Sequence, residues 1–161
     1  KLNFFNNHYL RINSNLDKFI YYCKINKELK KYFEEDGDLL LRIFEIYNSK
    51  INFYEEILNY TNIYYGKDFV PAEINNKFDQ IFKDNFENFK LEILELNDWS
   101  KENIEKFIFK FLKEKNIKFP IFAKPIRFLL TNSYEGPSLS DIFFILGRKS
   151  SIERLNNYIN K

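Results

Sequence analysis

A single cysteine cannot close an internal disulfide, so a disulfide-stapled secreted scaffold is excluded. A four-thiolate zinc site goes with it, and one histidine leaves little for mixed metal sites. The four glycines are scattered, so no phosphate-cradling loop fits, and no nucleophile elbow occurs. The longest apolar runs, such as Ile142-Phe143-Phe144-Ile145-Leu146, fall far short of the about 20 residues a spanning helix needs. Methionine is missing altogether, and the chain begins at Lys1. That absence leads us to expect a piece of a longer chain.

What is present is charge and aromatic mass. The 161 residues suit one large domain or two small ones and can bury a core without staples. Net charge is only +2, yet it is unevenly spread. Residues 101–161 hold 12 basic and 6 acidic side chains, and residues 1–100 hold 13 basic and 17 acidic. A basic C-terminal portion is an electrostatic footprint for a polyanion. Ordinary solvated helix surface is the simpler reading of charge alone. The abundance of Lys, Asn, Ile, Phe and Tyr resembles the output of an AT-rich genome, which inflates lysine for reasons unrelated to binding.

Apolar spacing is helical nearly throughout. Leu16, Phe19, Ile20 and Cys23 fall at i, i+3, i+4, i+7; so do Ile104, Phe107, Ile108 and Phe111, and Leu139, Ile142, Phe143 and Leu146. Ile152, Leu155 and Ile159 make a thinner stripe. No period-2 alternation is sustained. Ser138 with Asp141 and Ser150 with Glu153 have capping-box spacing. Asn52 and Ser100 are N-cap candidates, Pro71 suits a first helical position, and Gly66 and Gly147 suit C-terminal turns. These signals predict helices near 1–11, 15–33, 38–49, 52–64, 71–83, 84–97, 100–116, 119–131, 138–147 and 150–160. The expected fold is all-α, two consecutive helical subdomains with about ten helices. The division is expected at residues 1–97 and 98–161, where charge changes sign beside Trp99 and Ser100.

Catalytic constellations are lacking. His8 has no carboxylate at metal-ligand spacing, Cys23 lies on an apolar stripe as a small buried hydrophobe, and Glu34, Glu35, Asp36 and Asp38 are explained by capping and solvation.

One segment carries a family pattern: Lys124-Pro125-Ile126-Arg127-Phe128-Leu129-Leu130-Thr131-Asn132, then Gly136-Pro137-Ser138-Leu139, Ile142 to Leu146, Gly147-Arg148 and Arg154-Leu155. It resembles the C-terminal anticodon-binding region of bacterial-type glutamyl-tRNA synthetases. That family shows a Pro-Leu-Arg-x-x-Leu-Thr-Gly helix, a Gly-Pro-x-Leu turn, an apolar helix closing on Leu-Gly-Lys/Arg, and a final Arg-Leu pair. Lys1 to Arg11 resembles the segment that follows the catalytic half, and Trp99 to Glu105 with Phe107 to Lys113 matches a tryptophan-led helix.

The resemblance implies helical subdomains that grip the anticodon arm of tRNA for glutamate, with glutamine tRNA as a second candidate. It implies a cytoplasmic, monomeric parent with no membrane partner, a glutamate–tRNA ligase using ATP and magnesium. The His-Ile-Gly-His-type and Lys-Met-Ser-Lys-type motifs of that catalytic half are absent from these residues. No cofactor, metal or catalytic residue is expected here, and no aminoacylation by these residues alone.

Arg127 falls on the family arginine that meets the first anticodon base, where a planar guanidinium can stack and donate a fork. Gly136, Pro137 and Leu139 fall on the turn that approaches the loop, with Leu139 expected to pack on a base and the Ser138 amide to face a phosphate. Lys124, Arg148 and Lys149 are candidate phosphate contacts. Lys50 falls where discriminating members carry an arginine read against the third anticodon base; lysine offers a point charge instead of a fork. Asn132 replaces a family glycine and is expected to tolerate a left-handed helix end.

The alternative is a helical protein-interaction module without RNA binding. Clustering of Arg127, Lys124 and Arg148 beside the Gly136-Pro137 turn favours RNA; scatter of these and Lys50 favours the alternative.

Overall fold

The computed structural model describes residues 16–66, 69 and 78–158. The expected all-α class is observed, with no strand among the described residues. Seven α-helices occur there: α1 Leu16–Ile25, α2 Lys27–Tyr47, α3 Leu58–Tyr64, α4 Gln80–Leu94, α5 Lys101–Glu114, α6 Phe119–Thr131 and α7 Leu139–Asn156. Two short 3-10 turns, Asn48–Lys50 and Tyr54–Ile57, lie between α2 and α3. The expected count of about ten is therefore slightly high. The expected helices at 1–11 and over most of 71–83, with the proposed start at Pro71 and the residue His8, lie outside the described residues. No described helix is long and apolar enough to cross a membrane.

The expected single helix 15–33 is two. Asn26 adopts an extended conformation, and its side chain accepts from the Glu28 and Leu29 amides at 3.0 and 3.1 Å. A short polar side chain that can bond nearby amides ends one helix and starts the next. Asp36 does the same inside α2, where its φ of −156° breaks the helix and its carboxylate takes the Leu39 amide at 2.9 Å. The Tyr65 hydroxyl meets the Tyr32 and Asp36 carbonyls at this kink. Asn52, by contrast, caps nothing: its backbone N–H donates to Glu56 Oε2 at 2.7 Å, and the turn that follows has no side-chain cap.

The chain divides into two compact units, Lys1–Asp68 and Phe69–Lys161. In the first, Phe19 of α1 stacks on Phe44 of α2 with centroids 3.9 Å apart, and Tyr54 meets both rings edge-on. Cys23, Leu29, Leu40, Ile43 and Ile57 complete that core. Each fully buried side chain of this size contributes about 1.5–3 kcal/mol.

In the second unit, Phe82, Phe86, Phe89 and Ile93 form the buried stripe of α4. Phe89 is its hub, 5.2 Å from Phe111 of α5, 5.0 Å from Phe122 of α6 and 6.2 Å from Phe143 of α7. The sequence places the division at 97/98 because charge changes sign there. The structure divides at 68/69 because the aromatic face of α4 is buried against α5, α6 and α7.

Two caps in this unit match expectation: the Ser100 side chain accepts from the Asn103 amide, and Ser138 and Asp141 form a reciprocal capping box. Gly147 is a kink inside α7, with φ 72° and ψ 171°, and the helix resumes at Arg148. Ser150 therefore lies within the helix and does not start it. The Trp99 indole donates to the Phe143 carbonyl at 2.9 Å. That carbonyl sits in the last turn before the kink, where helical acceptors run out of successors.

Candidate nucleic-acid interface

The segment from α6 to α7 is built around a reversal at Asn132. This residue takes the left-handed conformation expected of it, with φ 56° and ψ 19°, and its amide closes on the Phe128 carbonyl. Thr131 Oγ1 donates back to the Arg127 carbonyl at 2.9 Å, and the Ser133 hydroxyl accepts from the Glu135 amide at 3.1 Å. The loop is thus tied by short-range bonds before any tertiary contact is made.

Arg127 closes it. Nη1 donates to the Tyr134 carbonyl at 3.1 Å and Nε to the Pro137 carbonyl at 3.3 Å. Two of its N–H groups are thereby committed to the turn, and Nη2 has no protein acceptor among the described residues. Gly136 lies between these carbonyls with φ 145°, a conformation that side chains of L-residues rarely adopt. Arg127, Gly136 and Pro137 are therefore one structural cluster. Lys124 is exposed and lies three residues before Arg127 on α6, close enough to share its face.

Other expected residues are engaged differently. Leu139 is 2% exposed and belongs to the core, so it presents no surface for a base. The Ser138 amide donates to Asp141 Oδ2 at 3.3 Å, so the capping box consumes the donor expected to face a phosphate. Asp141 Oδ1 is in turn 2.5 Å from Lys101 Nζ. Arg148 is a clip: Nη1 donates to the Leu94 carbonyl at 3.3 Å, Nη2 to the Leu96 carbonyl, and the guanidinium lies 5.2 Å from the centroid of Trp99. Its fork closes the loop between α4 and α5, so it does not join the Arg127 cluster. Lys149 is exposed just after the Gly147 kink. Lys50, in the first unit, is exposed with its ammonium 5.2 Å from the Tyr47 ring centroid.

Two side chains escaped the sequence reading of the site. Tyr134 stacks on Phe128 with centroids 4.6 Å apart and planes 14° from parallel, while remaining 47% exposed. Only the left-handed residue between them brings these rings together, and no helical or strand period signals it. Arg154 is 6% exposed; its Nη1 donates to the Leu130 carbonyl at 2.6 Å, and its guanidinium lies 4.2 Å from the Phe69 ring centroid. The Arg-Leu pair marks the position, but burial at the end of α6 is a tertiary fact.

Comparisons with known proteins agree on one family. A family model described as an anticodon binding domain matches residues 24–159. A glutamate–tRNA ligase of Mycoplasma capricolum is 27% identical over 148 residues, covering 88% of this chain and 30% of the relative. One from Pelagibacter ubique is 32% identical, over 96% of this chain and 34% of that protein. The crystal structure of a glutamate-tRNA synthetase from Elizabethkingia anophelis superposes with a TM-score of 0.66 at 21% identity, over 96% of this chain and 30% of that one. The last likeness concerns the fold alone. The chain spans about a third of the length of these relatives.

Proposed function

The chain belongs to the anticodon-binding domain family, and from that premise we propose that it grips the anticodon arm of a tRNA. Glutamate tRNA is the proposed ligand, with glutamine tRNA as the second candidate. The proposal extends to a role as the recognition part of a cytoplasmic, monomeric glutamate–tRNA ligase. ATP and magnesium would act elsewhere in such a protein, and the described residues would hold RNA without catalysing.

The observation that carries the reading is Arg127. It is locked over the Tyr134–Pro137 turn by two hydrogen bonds while Nη2 has no protein acceptor among the described residues. Sequence-specific RNA recognition offers splayed loop bases to such donors, and cations hold the phosphates. Lys124 supplies a nearby cation on the same helix. Of the cations whose clustering beside the Gly136-Pro137 turn favours RNA, Arg127 lies on the turn and Arg148 is engaged elsewhere, and the comparisons lend the protein-interaction reading no support.

The test is titration of the chain with an anticodon stem-loop RNA of glutamate tRNA, and with copies bearing altered anticodon bases, at two salt concentrations. Affinity is expected to fall steeply with salt and to fall again when the anticodon changes. Equal affinity for every anticodon overturns base reading, and no binding at low salt overturns the function. Lys50 is proposed to take part in discrimination as a point charge. Lys50→Arg is expected to widen the affinity gap between glutamate and glutamine anticodons, and an unchanged gap removes Lys50 from the reader.

A further inference from the structure

The turn between α6 and α7 presents a flat aromatic surface that the Arg127 cluster does not explain. Tyr134 lies almost parallel to Phe128, and Phe128 is held edge-on by Phe78 at 6.4 Å, so one face of the Tyr134 ring is backed by a fixed stack. The residue is 47% exposed, and it makes no other ring contact among the described residues. Its backbone is fixed as well, because Arg127 Nη1 holds its carbonyl at 3.1 Å and the Ser133 hydroxyl takes the following amide at 3.1 Å.

Covering Phe128 would be done as well by a leucine or any other apolar side chain. What an aromatic ring adds is a second flat face, pre-oriented before a ligand arrives. Ordering a side chain in advance removes a cost that binding would otherwise carry. A nucleobase stacked on an aromatic side chain is stabilised whatever its sequence, because every base has a π-face. The neighbouring charges favour a base over a phosphate at this spot. Glu135, next in sequence and exposed, disfavours a phosphate there, while Arg127, bonded to the Tyr134 carbonyl, and Lys124, one turn earlier on α6, offer cations to the RNA backbone.

We propose that Tyr134, backed by Phe128, is a stacking platform for one unpaired base of the bound RNA loop. This rests on the RNA-binding reading above and adds to it a residue that reads no base edge but fixes where a base lies. Arg127 is then also a positioning residue, since it orients the carbonyl of the residue that carries the platform.

The experiment uses the whole chain and an anticodon stem-loop RNA carrying the fluorescent base 2-aminopurine, moved one loop position at a time. Wild type is expected to quench the probe at one position. Tyr134→Ala should abolish that quenching and weaken binding roughly 5- to 150-fold at fixed salt. Tyr134→Phe and Tyr134→Trp should retain both. Tyr134→Leu, which still covers Phe128, should keep the melting temperature near wild type and lose the quenching. Undiminished quenching and affinity in Tyr134→Ala would overturn the platform, and so would Tyr134→Leu behaving as Tyr134→Trp. Equal loss in Tyr134→Phe would assign the effect to the hydroxyl and overturn it too. Wild type failing to bind at low salt overturns the RNA reading beneath; wild type binding with no effect of Tyr134→Ala overturns this inference alone.

Discussion

Arg127 donates through Nε to the carbonyl of Pro137, ten residues further along the chain and 3.3 Å away. With the 3.1 Å bond from Nη1 to Tyr134, one guanidinium spans the turn that separates α6 from α7. The side chain proposed to meet an anticodon base is thus also the tie that shapes the turn.

That double duty separates charge from geometry. Arg127→Lys keeps the charge but cannot bridge two carbonyls with one planar group. We expect Arg127→Lys to retain salt-dependent RNA binding and lose most of the preference for the correct anticodon. Arg127→Ala should lose both and cost about 1 kcal/mol of stability, the usual net worth of part-exposed hydrogen bonds. Stem-loop titrations with matched and altered anticodons, alongside urea unfolding, measure the two effects separately.

Gly136 makes a sharper structural prediction. A Cβ added there would meet only Arg127 Cδ, at 3.9 Å, which is ordinary contact. The obstacle is the φ of 145°, not the space. Gly136→Ala is therefore expected to destabilise by about 1–3 kcal/mol through backbone strain, or to relax the turn and release the Arg127 bonds. Urea midpoints report the first outcome. Reduced anticodon preference with an unchanged midpoint reports the second, and no change in either would show that the turn does not need glycine.

The sequence displayed its helices through their apolar stripes, and Phe19, Cys23, Ile104, Ile108, Phe111, Leu139, Ile142, Phe143 and Leu146 are in the core as their spacing predicts, whereas Leu16, at the start of α1, is 44% exposed. It also displayed the caps whose donor and acceptor lie within three residues, Ser100 and the Ser138–Asp141 pair. What it concealed is set by long-range partners. Arg148 reads as a free cation until the Leu94 and Leu96 carbonyls are placed 54 and 52 residues away. Tyr134 carries no periodic signal because its stack on Phe128 exists only through the reversal at Asn132. The division at 68/69 was hidden because charge pattern follows solvent, whereas the units follow the aromatic face of α4.

Cys23 gives a pH-dependent prediction in the first unit. Its thiol is fully buried, and burial pushes its pKa up to about 12. A group whose folded pKa is raised holds its proton longer in the folded state. Its contribution to stability is complete below about pH 9, where the unfolded thiol is also protonated, and is lost progressively as pH rises towards about 12. Burial raises the Tyr65 hydroxyl as well, reinforced by the Asp36 and Glu35 charges, and this acts in the same direction at higher pH. Iodoacetamide should leave the native thiol unmodified at pH 8 and alkylate it in urea. Rapid native alkylation would mean that the α1–α2 packing opens readily. Cys23→Ser should blunt the alkaline loss of stability and lower stability at neutral pH, because a hydroxyl replaces a small hydrophobe in an apolar core.

The arginines and lysines of the second unit should separate by salt dependence. A cation that contacts a phosphate releases counterions, and its removal lowers the slope of log affinity against log salt by about 1. A cation that clips a loop contributes to the fold and leaves the slope alone. Lys124, exposed on the face of Arg127, is expected to behave in the first way and Arg148 in the second. Lys124→Ala should weaken binding similarly for all anticodons, reduce the slope by about 1 and leave the melting temperature unchanged. Arg148→Ala should free the Leu94 and Leu96 carbonyls and uncover Trp99, lowering stability by about 1–3 kcal/mol with the slope intact. A reduced slope in a folded Arg148→Ala protein would return that residue to the interface, because counterion release requires a phosphate within its reach.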